Sequence, residues 1–205
     1  MSFLSYIGLI GGVCSLVGYV PYALQVLRAP KGSTVAPERA SWVIWTLSST
    51  LILLSYWQIG ARTTIWVPLA YVVGSAFITI LAFTHGREGW GTLEKLALII
   101  ALISSIRWVF FDDPILALVL NLAIGFMGYL PGIARLASDP ARRAPAELEG
   151  WTLFFLGSIL NLVAVSAWTI EIAMVPVVLF LMNGATFALT LRNAMIQERQ
   201  GPPTS

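Results

Sequence analysis

The sequence predicts an all-α integral membrane protein, with seven transmembrane helices arranged as two parallel three-helix repeats joined by a connector helix, 3+1+3. Three observations predict it. Of 205 residues, 58% are hydrophobic and 11% charged, whereas soluble domains carry about a quarter charged residues. The apolar residues fall in continuous runs near the ~20 residues that cross ~30 Å of hydrocarbon, while a barrel strand would alternate over about 10. Finally, short words recur in order at an offset of 108 to 110 residues.

The spans are read at residues 3–27, 41–60, 64–84, 93–111, 114–136, 150–170 and 172–193. No basic residue precedes the first and no small-residue cleavage site follows its apolar run, so it is expected to persist as a mature helix and not as a secretory signal. The fourth is the weakest: Glu94 and Lys95 stand at its start and Arg107 near its end, where it is expected to snorkel beside Asp112 and Asp113. The sixth and seventh are nearly continuous and divide around Glu171. Helices are the remaining way to satisfy backbone polar groups in lipid. The organisation expected is a first repeat at 1–84, a connector region at 85–113, a second repeat at 114–193 and a cytoplasmic tail at 194–205. Residues 137–149 form the longest cytoplasmic loop, a solvated connector.

The loops after spans 1, 3, 5 and 7 hold Arg28, Lys31, Arg39, Arg87, Lys95, Arg135, Arg142, Arg143, Arg192 and Arg199; the other side holds Arg62 and Arg107. By the positive-inside rule this predicts an outside N-terminus and a cytoplasmic C-terminus, in a membrane of the bacterial inner (plasma) type. The formal charge of +2 is too small a surplus to point to nucleic acid.

The recurring words begin with Gly18-Tyr19-Val20-Pro21 and Gly128-Tyr129-Leu130-Pro131. Pro37 and Trp42 then match Pro145 and Trp151, Val67-Pro68 matches Val175-Pro176, and Gly74-Ser75-Ala76-Phe77 matches Gly184-Ala185-Thr186-Phe187. Two trios separated by one extra helix enter the membrane from the same side. Parallel repeats of this kind place a substrate site at their interface near the midplane in transporters.

This arrangement resembles the SWEET, SemiSWEET and PQ-loop superfamily of transporters over almost the whole chain, residues 3–193. Gln25-Val26-Leu27-Arg28 after Pro21 looks like a displaced form of that family's Pro-Gln segment, with Pro21 four residues ahead of Gln25. Trp42-Val43-Ile44-Trp45 is similar to the WxxW motif of the PnuC-type nicotinamide riboside transporters. Tyr19 to Tyr22 and Trp42 to Trp45 also resemble a YxPY and WxxW pattern of bacterial seven-helix proteins. The resemblance implies a 3+1+3 transporter with an outside N-terminus and a pocket asparagine in span 7, for which Asn183 is the match. It also implies substrate-facing tryptophans in the second helix of each trio, matched by Trp57 and Trp168.

Read from the residues themselves, the polar side chains deep in the spans are Asn121, Asn161 and Asn183, with Gln25 nearer the cytoplasmic end. Each amide offers donors and an acceptor to the hydroxyls of a sugar or nucleoside, or else bonds neighbouring helices. Trp45 lies one turn beyond Trp42, deeper in its span, and is the better pocket tryptophan; Trp57 and Trp168 lie near the outer ends, where anchoring in the aromatic belt competes with binding. Pro21 and Pro131 each remove one helical hydrogen bond and are candidate hinges. Gly8 and Gly12 form a GxxxG, read as packing within the bundle.

Other classes fit less well. Residues 172–193 hold no lysine for a retinal Schiff base. His85 is the single histidine, HExxH is absent and Cys14 is the single cysteine, so no enzyme, metal site or cofactor is expected. No charged residue lies mid-span, which favours facilitated diffusion over a carboxylate proton relay. The sequence thus points to an alternating-access facilitator for a small neutral polar solute, such as a sugar or vitamin-like nucleoside. Its partners would be that solute and the lipid bilayer, with a homo-oligomer compatible; a non-catalytic membrane sensor or scaffold is the second reading.

Overall fold

The computed structural model describes residues 2–29, 36–87, 91–138 and 145–200, without the side chains at 93, 94, 107, 109, 131, 135, 145, 146 and 200. Seven helices follow one another among them: α1 (Phe3–Arg28), α2 (Arg39–Gln58), α3 (Trp66–His85), α4 (Thr92–Phe111), α5 (Pro114–Ser138), α6 (Pro145–Val163) and α7 (Ile170–Gln200). Among the described residues there is no strand, only one bridge joining Glu38 and Arg87. Five helices, α1, α2, α3, α5 and α7, are long and apolar enough to cross a membrane; α4 contributes a shorter apolar stretch, Lys95–Ile106.

Most predicted spans fall within two or three residues of a helix, and two depart. The sixth was expected at 150–170, but α6 runs Pro145–Val163 and residues 164–169 turn the chain toward α7. Proline suits the first turn of a helix, which needs no donor there, and Thr169 caps α7 by accepting from the Ile172 N–H at 3.4 Å. At the other end α7 continues to Gln200, so residues 194–200 are helical where a tail was expected. Asn193 and Ala194 are buried there, and Asn193 Nδ2 donates to the Leu136 carbonyl at 2.9 Å, tying the extension to the end of α5. The reading of Arg107 as a snorkelling side chain lies outside the described residues, as do residues 139–144 of the long loop and 201–205 of the tail.

The packing order is symmetric. Helix α3 contacts α1 and α2; α7 contacts α5 and α6; the two groups meet where α1 packs on α6 and α2 on α5. Exchanging 1 with 5, 2 with 6 and 3 with 7 maps these contacts onto themselves; a slight contact of α3 with α6 stands outside the exchange. Helix α4 stands outside it, against α5 and α2.

Polarity is distributed as lipid requires. Along the whole of α1, Phe3, Tyr6, Ile10, Val13, Val17, Val20, Leu24 and Leu27 are exposed in a single stripe, while Ser15, Ser48, Ser75, Asn121, Asn161 and Asn183 are buried. An apolar patch of that length is disfavoured in water and is compatible with an integral membrane protein. Helix α1 also carries glycines on two inner faces. A β-carbon at Gly12 would lie 2.7 Å from the Trp66 carbonyl, and one at Gly8 would fall on the Thr63 carbonyl, so the GxxxG packs against the start of α3. One at Gly11 would lie 2.9 Å from the Gly157 carbonyl, so the opposite face meets α6.

Candidate functional site

A cavity of about 700 Å³ lies where the two groups of helices meet. This is the size of a small-molecule pocket. At its mouth stand Gln25 near the end of α1, Glu38 and Ser41 at the start of α2, Leu136 near the end of α5 and Glu147 at the start of α6. The mouth is therefore at the end of the bundle that carries Arg28, Arg39, Arg87 and Arg192.

The walls are aromatic. Six of the lining rings form a closed circuit of neighbours, with centroid distances of 6.4 Å from Tyr19 to Trp42, 5.7 Å to Trp45, 5.6 Å to Tyr129, 5.8 Å to Trp151, 5.6 Å to Phe154 and 4.9 Å back to Tyr19. Offset and edge-on contacts of this kind add stability beyond the area they bury. Tyr22 stacks on Trp42 at 5.5 Å, and Tyr71 touches Tyr19 and Phe154.

The circuit follows the internal repeat. Tyr19 and Tyr129 are equivalent at an offset of 110, Trp42 and Trp151 at 109, and Trp45 and Phe154 at 109. Glu38 and Glu147 complete the set at 109, each four residues before the first tryptophan of its helix. Because α1 packs on α6 and α2 on α5, each Gly-Tyr word meets the aromatic pair of the other trio. Phe154 packs beside Gly18, and a β-carbon at Gly128 would lie 2.7 Å from Trp45 Nε1. These glycines leave room for the rings.

Below the circuit sits Asn183, fully buried. Its Oδ1 accepts from the Tyr129 hydroxyl at 2.9 Å and the Tyr71 hydroxyl at 3.2 Å; its Nδ2 donates to Tyr71 at 2.9 Å and to the Phe154 carbonyl at 3.3 Å. One amide from α7 thus fixes two cavity tyrosines on α3 and α5 and the backbone of α6. Asn183 does not line the cavity; it positions residues that do.

The far end is shut. Tyr56, Ala61, Ile65, Leu118, Leu122, Val165, Ile172 and Val175 form a buried cluster there. The Tyr56 hydroxyl donates to the Ile172 carbonyl at 2.6 Å and lies 2.7 Å from Thr64 Oγ1, and Thr63 Oγ1 donates to Ser166 Oγ at 3.2 Å. The Tyr56–Ile172 and Thr63–Ser166 contacts join one group of helices to the other. Between cluster and cavity, a void of about 50 Å³ touches Trp45, Tyr71 and Tyr129 from the opposite side.

Of the residues singled out by sequence, Trp45 lines the cavity and Asn183 supports it. Trp57 is 54% exposed and carries the Arg62 guanidinium 4.0 Å above its ring, while Trp168 is 68% exposed; neither reaches the cavity. Asn121 joins helices instead, donating to Ser104 Oγ of α4 at 2.5 Å and to the Ala117 carbonyl at 2.8 Å. Asn161 is fully buried on α6, whose backbone at that point adjoins Gly11 of α1, and its amide finds no protein partner among the described residues. Pro21 lies inside an unbroken α1, between the cavity residues Tyr19 and Tyr22; position 131 lies inside α5, its ring outside the described set. Sequence reasoning missed Tyr19, Tyr22, Tyr71, Tyr129, Phe154 and the glutamates as lining residues. Two pairs of them, Tyr19 with Tyr129 and Glu38 with Glu147, stand at repeat-equivalent positions, and Phe154 is the equivalent of Trp45.

Comparison with known proteins finds no matching family model, no matching curated protein and no matching solved structure.

Proposed function

We propose that this chain is an alternating-access membrane transporter, a facilitator for a small solute, built as two parallel three-helix repeats with α4 as connector. The observation that carries the reading is the 700 Å³ cavity, open at one end and closed at the other, whose walls come in equivalent pairs from both trios. Three further features support it. The main helix contacts are preserved by exchange of the trios, as expected for repeats related by an axis along the membrane normal. The contacts that shut the far end run between trios, so rocking one trio against the other breaks them. Pro21 stands beside the aromatic circuit on α1, where a hinge has the most effect.

With the basic loops cytoplasmic, the cavity faces the cytoplasm and the Tyr56 cluster closes the outside. SWEET-like and PnuC-like transport of a sugar or vitamin-like nucleoside is the solute class the sequence suggests, and aromatic walls give such a solute flat contact area. Uptake of labelled sugars and nucleosides into proteoliposomes tests the reading, with Trp45→Ala as the comparison. Uptake that exceeds empty vesicles and drops on this substitution is the expected result. Flux unaffected by Trp45→Ala favours the sensor or scaffold reading.

A further inference from the structure

The four pairs that line the cavity have a combined chemistry that suits one kind of ligand. Six members are aromatic rings and two are carboxylates; among the described lining residues there is no lysine, arginine or histidine. The face of an aromatic ring attracts a cation held within about 6 Å of its centroid, more strongly once water is excluded. A circuit with sides between 4.9 and 6.4 Å puts a group seated against it in that range of several rings at once.

Part of the hydrogen-bonding capacity, by contrast, is spent within the protein. The Tyr71 and Tyr129 hydroxyls donate to Asn183, and Thr186 Oγ1 donates to the Met182 carbonyl at 2.9 Å. A polyol needs a partner for every hydroxyl it brings out of water, at a real cost for each one unpaired; an alkylated cation needs none. Glu38 and Glu147 sit one helical turn closer to the mouth than Trp42 and Trp151. Glu38 Oε1 meets Arg87 Nη2 at 3.0 Å, but this pair is about half exposed on the rim and screened by water.

We propose that the cavity receives a compact organic cation with a quaternary ammonium head, held by the ring circuit and drawn in by the paired carboxylates. The inference rests on the proposed function in taking this cavity as the solute site.

Equilibrium dialysis of the full chain in detergent against radiolabelled choline tests it, with 3,3-dimethylbutan-1-ol, which carries carbon in place of the charged nitrogen, and glucose as competitors. Saturable choline binding is expected, with the neutral isostere competing at least tenfold more weakly and glucose not at all. The double variant Trp45→Phe with Trp151→Phe keeps a ring at each position while shrinking and weakening its face, and lowers choline affinity several-fold in protein whose helical circular dichroism is unchanged. Glu38→Gln with Glu147→Gln weakens choline and reduces its salt dependence, leaving the isostere unaffected. No choline binding, or equal competition by the isostere, overturns the proposal. Choline binding without choline uptake into proteoliposomes keeps the cation site and removes the transporter reading. Glucose uptake that choline does not inhibit removes the cation site and keeps the transporter.

Discussion

Gly74→Ala tests whether Tyr19 is wedged in place to build the aromatic circuit. A β-carbon at position 74 would lie 2.7 Å from Tyr19 Cγ and closer still to Cδ2 and Cε2. Carbon contacts settle near ~3.5–4.0 Å and the nearest ring atom would be 2.2 Å away, so the ring has to retreat by roughly 1.3–1.8 Å. It has little room: Tyr19 is 5% exposed, packed with Ala23, Val26 and Ile78, with the Phe154 ring 4.9 Å away. Overpacking of this kind costs about 1–3 kcal/mol. When Tyr19→Ala has already removed the ring, the same Gly74→Ala change meets no obstacle and gains about 0.5–1 kcal/mol of helix stability. The coupling between the sites is then about 1.5–4 kcal/mol, well above the ~0.3–0.5 kcal/mol scatter of independent sites. Reversible unfolding in mixed micelles, followed by helical circular dichroism for both single variants and the double, measures it. Additive effects would refute the wedge and the account of why glycine stands there.

Cross-linking tests the closed end. In a Cys14→Ser background, Thr63→Cys with Ser166→Cys places two thiols where the hydroxyl oxygens are 3.2 Å apart; oxidation is expected to stop solute flux and reduction to restore it, and full flux through a fully cross-linked protein contradicts a moving outer closure. Asn183→Leu leaves the Tyr71 and Tyr129 hydroxyls without their partner and is expected to cost about 1–3 kcal/mol per buried group and to weaken ligand binding in dialysis. Asn121→Leu costs stability as well but leaves ligand affinity unchanged. At the glycines, Gly125→Ala meets nothing within 4 Å and gains about 0.5 kcal/mol in the same unfolding assay, whereas Gly8→Ala drives its β-carbon into the Thr63 carbonyl and loses folded protein.

Length and hydropathy locate the helices because a bilayer sets both. They do not separate α6 from α7 correctly, since Val163-Ala164-Val165 is as apolar as the helix before it. The signal that divides them is local: Thr169 capping α7. Helix orientation is harder to read. In a soluble helix the apolar face marks the core, but in lipid both faces are apolar, so nothing in the pattern reveals that Asn121 turns toward α4 while Asn183 turns toward the cavity tyrosines. Trp57 and Trp45 differ in the same way: alike in sequence, the first is exposed and the second half-buried in the cavity wall. The repeat does carry that information. Four pairs of positions equivalent at 109 or 110 residues line the same cavity, and extending the match from Trp42 to Glu38 and Trp45 reaches three of those pairs without coordinates.

The two seams between trios are equivalent by exchange but built differently, and this bears on how the cavity would open. Along α1 and α6, Gly11 and Gly18 face Gly157 and Gly150: a β-carbon at Gly157 would lie 2.7 Å from the Gly11 carbonyl, and one at Gly150 would lie 3.1 Å from the Gly18 carbonyl. Backbone lies against backbone there, and parting it forfeits many close contacts at once. Along α2 and α5 a side chain, Trp45, fills the gap over Gly128, and Gly125 and Gly132 have nothing within 4 Å. A side chain swings between rotamers at far lower cost than a packed backbone separates. The glycine seam is therefore suited to act as the pivot and the tryptophan seam as the side that yields. Trp45 belongs to both this seam and the aromatic circuit, so in the proposed transporter occupation of the cavity would bear on the geometry of the seam beside it.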